Sequence, residues 1–166
     1  KLHTLYMGLE SGDEEILRRC RKGETASGMV QAGIEAQAAG LRMSVMVLLG
    51  LGGSERSREH VAHTSAALNR MQPRLLSALR VIPVEGTELR SDVESGRFRP
   101  LTEDEVVQEL RGLIARLELN GTVFRANHSS NVVPIEARLP RDKEQVLAAL
   151  DSLLASDSLD KRTPGR

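Results

Sequence analysis

The stretch LRMSVMVLLGLGGSE, residues 41–55, joins an uninterrupted apolar run to a turn that contains three glycines. Residues 45–49 are all apolar, a pattern typical of a parallel strand that is buried on both faces. The glycines favour a turn, and the segment that follows has a helical pattern up to Pro73. Strand, glycine turn and helix in this order predict one unit of an α/β fold.

The same succession of segments recurs on both sides of this stretch. Strands are also predicted at residues 2–9, in the segment 74–87, which ends in a turn, and at residues 122–128. Helix starts are predicted at four capping residues, Asp13, Thr25, Thr102 and Asp142. Strands that alternate with helices predict a parallel sheet, and both a barrel segment and an open sheet are compatible with this order.

The composition describes one folded domain and excludes several classes of protein. The chain has 166 residues, and its 23 basic and 23 acidic side chains balance, so no basic face for nucleic acid is predicted. We find neither an apolar run long enough to span a membrane nor a signal peptide. Cys20 is the single cysteine, which fits a reducing cytoplasm and rules out a multi-cysteine cluster held by this chain alone. Because the chain begins with Lys1 and enters a strand almost at once, we interpret it as a piece of a longer protein.

The four predicted strand ends differ from the connections at the opposite edge of the sheet. They read GLESG, GLGGSE, PVEGT and NHSSN, and all are polar or rich in glycine. The opposite connections, KGET and QAAGL, have the composition of plain helix caps. Ligands of parallel α/β folds bind at the carboxyl ends of the strands, so this asymmetry predicts a ligand site there.

Two of these strand ends allow a ligand-binding and a plain structural interpretation. The carboxylate of Glu10 can accept two hydrogen bonds, which suits a vicinal diol such as a ribose. Alternatively, this segment is only a turn in which Ser11 or Asp13 caps the next helix. The glycines of residues 50–53 can cradle an anion or clear space for a bulky ligand, or they form a simple tight turn.

Other side chains are weaker candidates. His128 is either an acid or base at the fourth strand end, or part of a loop capped by Ser and Asn. His60 and His63 lie one helical turn apart without a third metal ligand, and we expect both to be solvated. Arg80 either faces a ligand carboxylate or extends outward at an edge. We expect Cys20 to be inert and packed.

Four ordered stretches resemble a known family. YMGLESGDEEILRRCRKG, AGLRMSVMVLLGLGGSE, RVIPVEGTEL and FRANHSSNVVPIEARLPRDKEQVL resemble the second half of radical S-adenosylmethionine (radical SAM) proteins. The group in question is the bacterial Fe–S oxidoreductases with an Elp3/MiaB/NifB-like core. The resemblance covers roughly residues 2–155, and its specificity lies in the order and spacing of the four stretches together.

The resemblance implies a fold and a division of the chain. In this family a six-stranded partial, TIM-like (β/α) barrel holds a 4Fe–4S cluster and S-adenosylmethionine. Residues 1–100 would form the C-terminal half of that barrel, residues 101–155 an extension after it, and residues 156–166 a flexible tail. A half barrel leaves the strand 2–9 without one neighbour, so the isolated chain is expected to self-associate.

The resemblance also implies the residues that bind the cofactor. Glu10, with Ser11 beside it, would meet the ribose hydroxyls, and Lys22 would face the methionyl carboxylate. Gly50 and Gly52 would line the cofactor. The backbone near Ile82 would lie against the adenine.

One departure from the family limits what this chain can do. The cluster motif C-x-x-x-C-x-x-C is absent, so the cluster ligands are expected upstream. The leading interpretation is the C-terminal part of a radical SAM enzyme. In the parent protein, an electron donor such as flavodoxin or ferredoxin would reduce the cluster. One-electron cleavage of S-adenosylmethionine would then give a 5′-deoxyadenosyl radical that abstracts a hydrogen atom from the substrate. The alternatives are a non-catalytic half barrel that binds a nucleoside or docks on a partner, and a different (β/α) barrel enzyme.

Overall fold

A computed structural model of the chain describes residues 2–156 and 158–161. Strands and helices alternate along most of it, as the order of segments predicts. The elements are β1 (Thr4–Glu10), α1 (Glu14–Arg19), α2 (Ala26–Ala38), β2 (Arg42–Leu49), α3 (Gly53–Met71), β3 (Leu75–Arg80), α4 (Glu88–Glu94), α5 (Glu103–Arg116), β4 (Thr122–Arg125), β5 (Glu136–Leu139) and α6 (Lys143–Ala155).

The strands of the described residues form one sheet in the order β1-β2-β3-β4-β5. The first four are parallel to one another, and β5 pairs with β4 in antiparallel orientation. The predicted α/β class and its parallel strands are therefore confirmed. Strand β5 was not predicted, because a strand of four residues, placed between Pro134 and Pro140, has too short a pattern to recognise.

Two helices show how local chemistry decides their starts. Thr102 and Glu105 form the predicted capping box, in which the Glu105 N–H donates to the Thr102 hydroxyl and the Thr102 N–H donates to the Glu105 carboxylate. Helix α4 lies in residues 88–100, a segment that contains Gly96 and Pro100 and for which the sequence predicts no regular element. Its start is Thr87, whose hydroxyl accepts from the Arg90 N–H at 3.3 Å, and none of its residues is buried. A short exposed helix has no apolar stripe, so sequence periodicity could not reveal it.

The hydrophobic core lies on one face of the sheet, between the strands and the main helices. In β2, Met43, Val45, Val47 and Leu49 are buried in this core, whereas Met46 points away and is 37% exposed. The expectation that β2 is buried on both faces is wrong within the residues that the structure describes. The run 45–49 is apolar at every position, but its burial alternates because helices cover a single face. We call the other side of the sheet the open face.

The segment expected to be a flexible tail, residues 156–166, is described only in part. Leu159 is buried, and the Asp160 N–H donates to the Glu103 carboxylate at 3.0 Å. Residues 158–161 therefore contact the first turn of α5, while residues 157 and 162–166 lie outside the described residues. The division at residue 100 stays a prediction.

Within the described residues, no helix combines the length and the apolar character required to cross a bilayer.

Strand β1 is one edge of the sheet, and it hydrogen-bonds to β2 alone within the described part of the chain. On it Tyr6 is 73% exposed, which gives this edge an apolar side chain as well as unpaired backbone groups. The other edge, β5, is short and carries charged Glu136 and Arg138. We therefore expect the isolated chain to self-associate through β1, as measured by light scattering. Tyr6→Lys should shift it toward monomer and Tyr6→Phe should not; a wild-type chain that stays monomeric at every concentration contradicts this prediction.

Candidate functional site

The parallel register brings the carboxyl ends of β1, β2 and β3 to one edge of the sheet. Across the open face, Gly8 is in register with Met46, Met46 with Ser77, and Ser77 with Arg125. Residues that follow this row, at the end of β1 and in the turn after β2, therefore lie at the same edge. This is the edge that the polar and glycine-rich strand ends predicted.

Glu10 and Lys22 form an ion pair at the end of β1. The Lys22 Nζ lies 3.0 Å from the Glu10 carboxylate, and the two side chains remain 27% and 22% exposed. A bulge between Gly8 and Glu10 and a positive φ of 60° at Glu10 turn this residue out of the regular strand. A Cβ at Gly8 would collide with the Glu10 carboxylate, so the glycine gives that carboxylate its place above the strand. The structure thus holds a carboxylate and an ammonium group together, within reach of solvent.

Ser11 lies on the inner side of this turn rather than beside the Glu10 carboxylate. Its side chain is fully buried, and its Oγ accepts from the Asp13 N–H at 3.0 Å and contacts His60 Nδ1 at 2.9 Å. This position does not favour the ribose contact that the resemblance implies for Ser11. Asp13 caps α1, as one of the two interpretations of this segment predicted, because its carboxylate accepts from the Ile16 N–H.

Asp13 is also an electrostatic centre between α1 and α3. Arg56 donates to its carboxylate at 2.9 Å, and His63 Nδ1 lies 2.8 Å away. Burial alone would raise the pKa of Asp13, but the hydrogen bonds from Arg56, the Ile16 N–H and His63 outweigh it and lower that pKa to about 2. His63 is half exposed, as expected, and pairs with this carboxylate.

The glycine turn after β2 has two kinds of glycine. Gly50 has a φ of 80°, which favours glycine, and it lines a cleft of about 170 Å³ with Arg80, Ile82 and Leu101. Gly52 is small for another reason, since a Cβ there would lie 2.8 Å from Ile16 Cδ1. The structure therefore brings Gly50 and Ile82 together, while Gly52 packs on α1. Because ligand pockets are usually about 300–1,000 Å³, this cleft can cover only one side of a ligand.

The loop after β4 is attached to the end of β3. The Asn131 amide donates to the Ala78 carbonyl at 2.9 Å, and the Arg80 N–H donates to the Ser130 hydroxyl at 3.3 Å. His128 is exposed, and its Nδ1 accepts from the Ser130 N–H at 3.1 Å. Loop capping by Ser and Asn, the plainer of the two interpretations, is what these contacts show.

Two further candidates from the sequence behave differently in the structure. The Arg80 guanidinium donates to the Leu101 carbonyl at 3.3 Å. It therefore stabilises the segment before α5. Cys20 was expected to be packed, but it is exposed at the C-cap of α1. No group of three metal-ligating side chains occurs within residues 2–156 and 158–161.

Sequence reasoning missed a buried polar cluster behind the site. His60, expected to be solvated, is fully buried, and burial lowers its pKa to about 4. The Glu109 side chain is also fully buried; it accepts from the Gly50 N–H at 2.6 Å and from the Ser57 hydroxyl. Burial raises the pKa of Glu109 to about 7 although both hydrogen bonds oppose the shift. The signal was a glutamate within the apolar stripe of α5, next to Leu110.

Ser11, His60 and Glu109 are arranged in the order of a catalytic triad, with His60 between a hydroxyl and a carboxylate. However, both Ser11 and His60 are fully buried, so no substrate can reach the hydroxyl. This cluster is therefore not a hydrolytic site.

Comparison with solved structures identifies the class of fold. The archaeal Methanocaldococcus infernus Elp3 with an N-terminal deletion (1–46) matches with a TM-score of 0.63 and 19% identity. The match covers 91% of this chain and 36% of that one, so the chain has the fold of part of Elp3. The predicted α/β, partial-barrel fold is thereby confirmed.

Sequence comparison points to the same relatives. The tRNA uridine(34) acetyltransferases of Methanocaldococcus infernus and Methanocaldococcus jannaschii are 25% and 24% identical to the chain over 103 residues. The matched residues are 61% of this chain and 19% of each relative, so the match spans about a fifth of these proteins. No protein-family model matches. Together the comparisons confirm the resemblance to an Elp3-like core that the four sequence stretches indicated.

Proposed function

We propose that the chain is the C-terminal part of a radical SAM enzyme core similar to that of Elp3, and that it binds the ribose and the methionyl carboxylate of S-adenosylmethionine. The observation that carries the proposal is the Glu10–Lys22 pair above Gly8, at the carboxyl edge of the open face. An anion and a cation in this place match the two polar ends of the cofactor, a ribose diol and a methionyl carboxylate.

The chemistry of each residue supports this assignment. The Glu10 carboxylate has free lone pairs that can accept from both ribose hydroxyls, and the Lys22 ammonium can pair with a carboxylate. Both side chains are still reached by solvent, so a ligand that offers each partner a new contact can replace the contact between them. Ile82, 56% exposed beside Gly50, gives an apolar surface for a purine.

The residues of this chain do not fit a 4Fe–4S cluster. Such clusters are held by several cysteine thiolates, and Cys20 is the single cysteine. We therefore derive no step through a cluster. In enzymes of this class, S-adenosylmethionine supplies a carbon radical for hydrogen abstraction; for the parent protein, that reaction, its cluster and an electron donor such as flavodoxin or ferredoxin remain part of the proposal.

The missing cysteines also favour a second candidate, a nucleoside-binding half barrel without radical chemistry. Both candidates require Glu10 to recognise a ribose, but they differ at Lys22, which matters only if the ligand has a carboxylate. The relatives are named as acetyltransferases acting on a tRNA uridine. The 103 matched residues are a fifth of those proteins, so the proposal for this chain does not extend to that reaction.

We predict that adenosine and S-adenosylmethionine, added to the ¹⁵N-labelled chain, shift the NMR signals of Glu10, Gly50 and Ile82. Glu10→Ala should weaken adenosine binding about tenfold or more, because hydrogen bonds to a charged group are lost. 2′,3′-Dideoxyadenosine, which lacks the diol, should bind weakly to both forms. Glu35→Ala, an exposed change on α2, is the matched control. Equal binding of adenosine and its dideoxy analogue would overturn the assignment of Glu10.

Two further variants separate the candidates. Lys22→Ala should weaken S-adenosylmethionine but not adenosine; no effect on either ligand favours the nucleoside module. Gly8→Ala should reproduce the loss seen with Glu10→Ala, because its methyl group takes the place of the Glu10 carboxylate. The flexible end of that side chain can move away, so we expect the melting temperature of Gly8→Ala to change little.

A further inference from the structure

We infer that Glu109, His60 and Ser11 are positioning residues that hold the turn at Gly50 in place relative to the turn after β1. This would make α5, which follows the barrel segment, part of the ligand site. The inference rests on the proposed function only for its effect on ligand binding. Its structural content, a link between two turns, can be tested without any ligand.

The first link joins α5 to the Gly50 turn. The Glu109 carboxylate accepts the Gly50 N–H at 2.6 Å, and its other oxygen accepts the Ser57 hydroxyl. When Glu109 is ionised, both are hydrogen bonds to a buried charged acceptor, and such bonds are among the strongest in proteins. Gly50 has a positive φ, which glycine permits, and its N–H is held by Glu109. The conformation of this turn therefore depends on the glycine and on the contact with Glu109.

The second link joins α3 to the turn after β1. Both hydroxyls near His60 Nδ1 already accept a backbone proton, Ser11 from the Asp13 N–H and Thr64 from the Gly12 N–H. The Ser11 hydroxyl is therefore free to donate its own proton to His60 Nδ1, 2.9 Å away. This assigns the proton of neutral His60 to Nε2.

The third step connects the two links. His60 Nε2 is buried without a hydrogen-bond partner among the described residues, and it lies 3.8 Å from the Glu109 carboxylate. A buried donor without a partner is costly, and the nearest acceptor lies on Glu109. The attraction between this N–H and the carboxylate draws α3 and α5 together behind the two turns.

Other charged groups lie at the borders of this cluster. Asp13, the N-cap of α1, is the charge that acts on His60 from that side. Arg58 of α3 and Glu105 and Arg116 of α5 line the cleft beside Glu109. A change that is specific to the cluster must therefore be compared with a change of a neighbouring charge.

The test follows the amide signals of the ¹⁵N-labelled chain as the pH is varied. In the wild type, the Gly50 amide signal should titrate with Glu109, and in Glu109→Gln that titration should vanish while the signal stays near its wild-type position. Glu105→Gln is the control, because it lies one turn earlier on α5 and a glutamine preserves its capping box. Glu109→Ala should speed hydrogen exchange at Gly50 by about tenfold or more, since its acceptor is removed.

The link between the turns has its own readout. Glu109→Ala should also move the amide signal of Ser11, whose hydroxyl contacts His60. Changes confined to Gly50 would overturn the inferred link, and so would a Gly50 signal that is the same in all variants. If Glu109→Ala does not fold, the titration of Glu109→Gln still decides whether Glu109 holds Gly50, and His60→Gln takes its place as the test of the link. His60→Gln should move the signals of Gly50 and Ser11 together, and movement of one without the other would overturn the link.

Ligand binding then shows whether the positioning matters for function. Glu109→Ala should weaken adenosine about tenfold, whereas Glu105→Gln should bind it as the wild type does. If the wild type binds no adenosine, the proposed function fails while the amide measurements still test the link. If adenosine binds equally to the wild type and to Glu109→Ala, the positioning role is wrong and the proposed function stands.

Discussion

Gly12→Ala is expected to lower the free energy of unfolding by about 3 kcal/mol or more, a large part of the stability of a domain of this size. A Cβ at this position would lie 2.6 Å from the Thr64 backbone nitrogen and closer still to the His63 carbonyl. These are backbone atoms within α3, so they cannot move aside as a flexible side chain would. The turn after β1 would have to separate from α3, which also breaks the hydrogen bond from the Gly12 N–H to Thr64.

Gly112→Ala is the matched control, with an expected change of opposite sign. Gly112 lies within α5, where a Cβ would make ordinary contact at 3.5 Å with Val61 Cγ1. Alanine in a helix interior is favoured over glycine by about 1 kcal/mol, so this variant should be slightly stabilised. Denaturant unfolding of the two variants measures both changes. A Gly12→Ala protein as stable as the wild type would show that the turn is not held against α3.

Much of the architecture could be predicted because local patterns and tertiary structure agree. The apolar run before Gly50, the capping box at Thr102 and the proline after α3 each carry their own signal. Parallel order followed from the alternation of strands and helices. The elements that escaped, α4 and β5, are short and have little apolar periodicity, so nothing in the sequence distinguishes them from loops.

The face on which a residue lies was harder to predict than its element. Val45 and Met46 are both apolar neighbours in β2, yet one is fully buried and the other is 37% exposed. The whole fold decides which face of a strand the helices cover. The sequence of an entirely apolar strand does not indicate that face. The direction of the Ser11 side chain was also not predicted. The resemblance put Ser11 beside the Glu10 carboxylate, but after the bulge at Gly8 the Ser11 side chain is fully buried and the Glu10 side chain is not.

The candidate site could be located from the sequence, but the residues that support it could not. Glu10 and Gly50 were indicated by the turns that identify strand ends, whereas Lys22 and Ile82 were implied by the family resemblance alone. Glu109 lies 59 residues beyond Gly50 and on another element, so only the folded chain shows that they touch. His60 has the same difficulty: on a helix with many polar residues, its full burial cannot be recognised from its neighbours.

The second large effect is expected in the pH dependence of stability, through Glu109. Burial raises the pKa of this carboxyl from 4.5 to about 7 in the folded state. The folded chain therefore binds the proton more tightly than the unfolded chain does. The resulting stabilisation is complete below pH 4.5 and is lost as the pH rises through about 7. At 1.36 kcal/mol for each pKa unit, the loss is about 3 kcal/mol.

Glu109→Gln removes this titration. Its amide oxygen still accepts from the Gly50 N–H, and its amide NH2 can donate to the Ser57 hydroxyl, which then accepts instead of donating. The free energy of unfolding of the variant, relative to that of the wild type, should therefore rise by about 3 kcal/mol between pH 4.5 and neutral or slightly higher pH. Asp13 and His60 act in the opposite direction, because their pKa values are lowered and their stabilisation is lost as the pH falls. Both residues are present in the two proteins, and their pKa shifts come from burial and from groups other than Glu109, so their contributions cancel in the difference.

Urea unfolding at a series of pH values measures that difference. Glu105→Gln again serves as the control, with the opposite trend, because hydrogen bonds from Arg99 and the Thr102 N–H outweigh burial and lower the pKa of Glu105. The wild type should therefore gain stability over this control as the pH rises above the range in which Glu105 titrates. A difference between the wild type and Glu109→Gln that is constant with pH would mean that Glu109 titrates normally in the folded chain. In that event either water hydrates the carboxylate, or the hydrogen bonds from the Gly50 N–H and the Ser57 hydroxyl offset burial in full. Hydrogen exchange at Gly50 separates the two, because only a hydrated carboxylate would leave that amide unprotected.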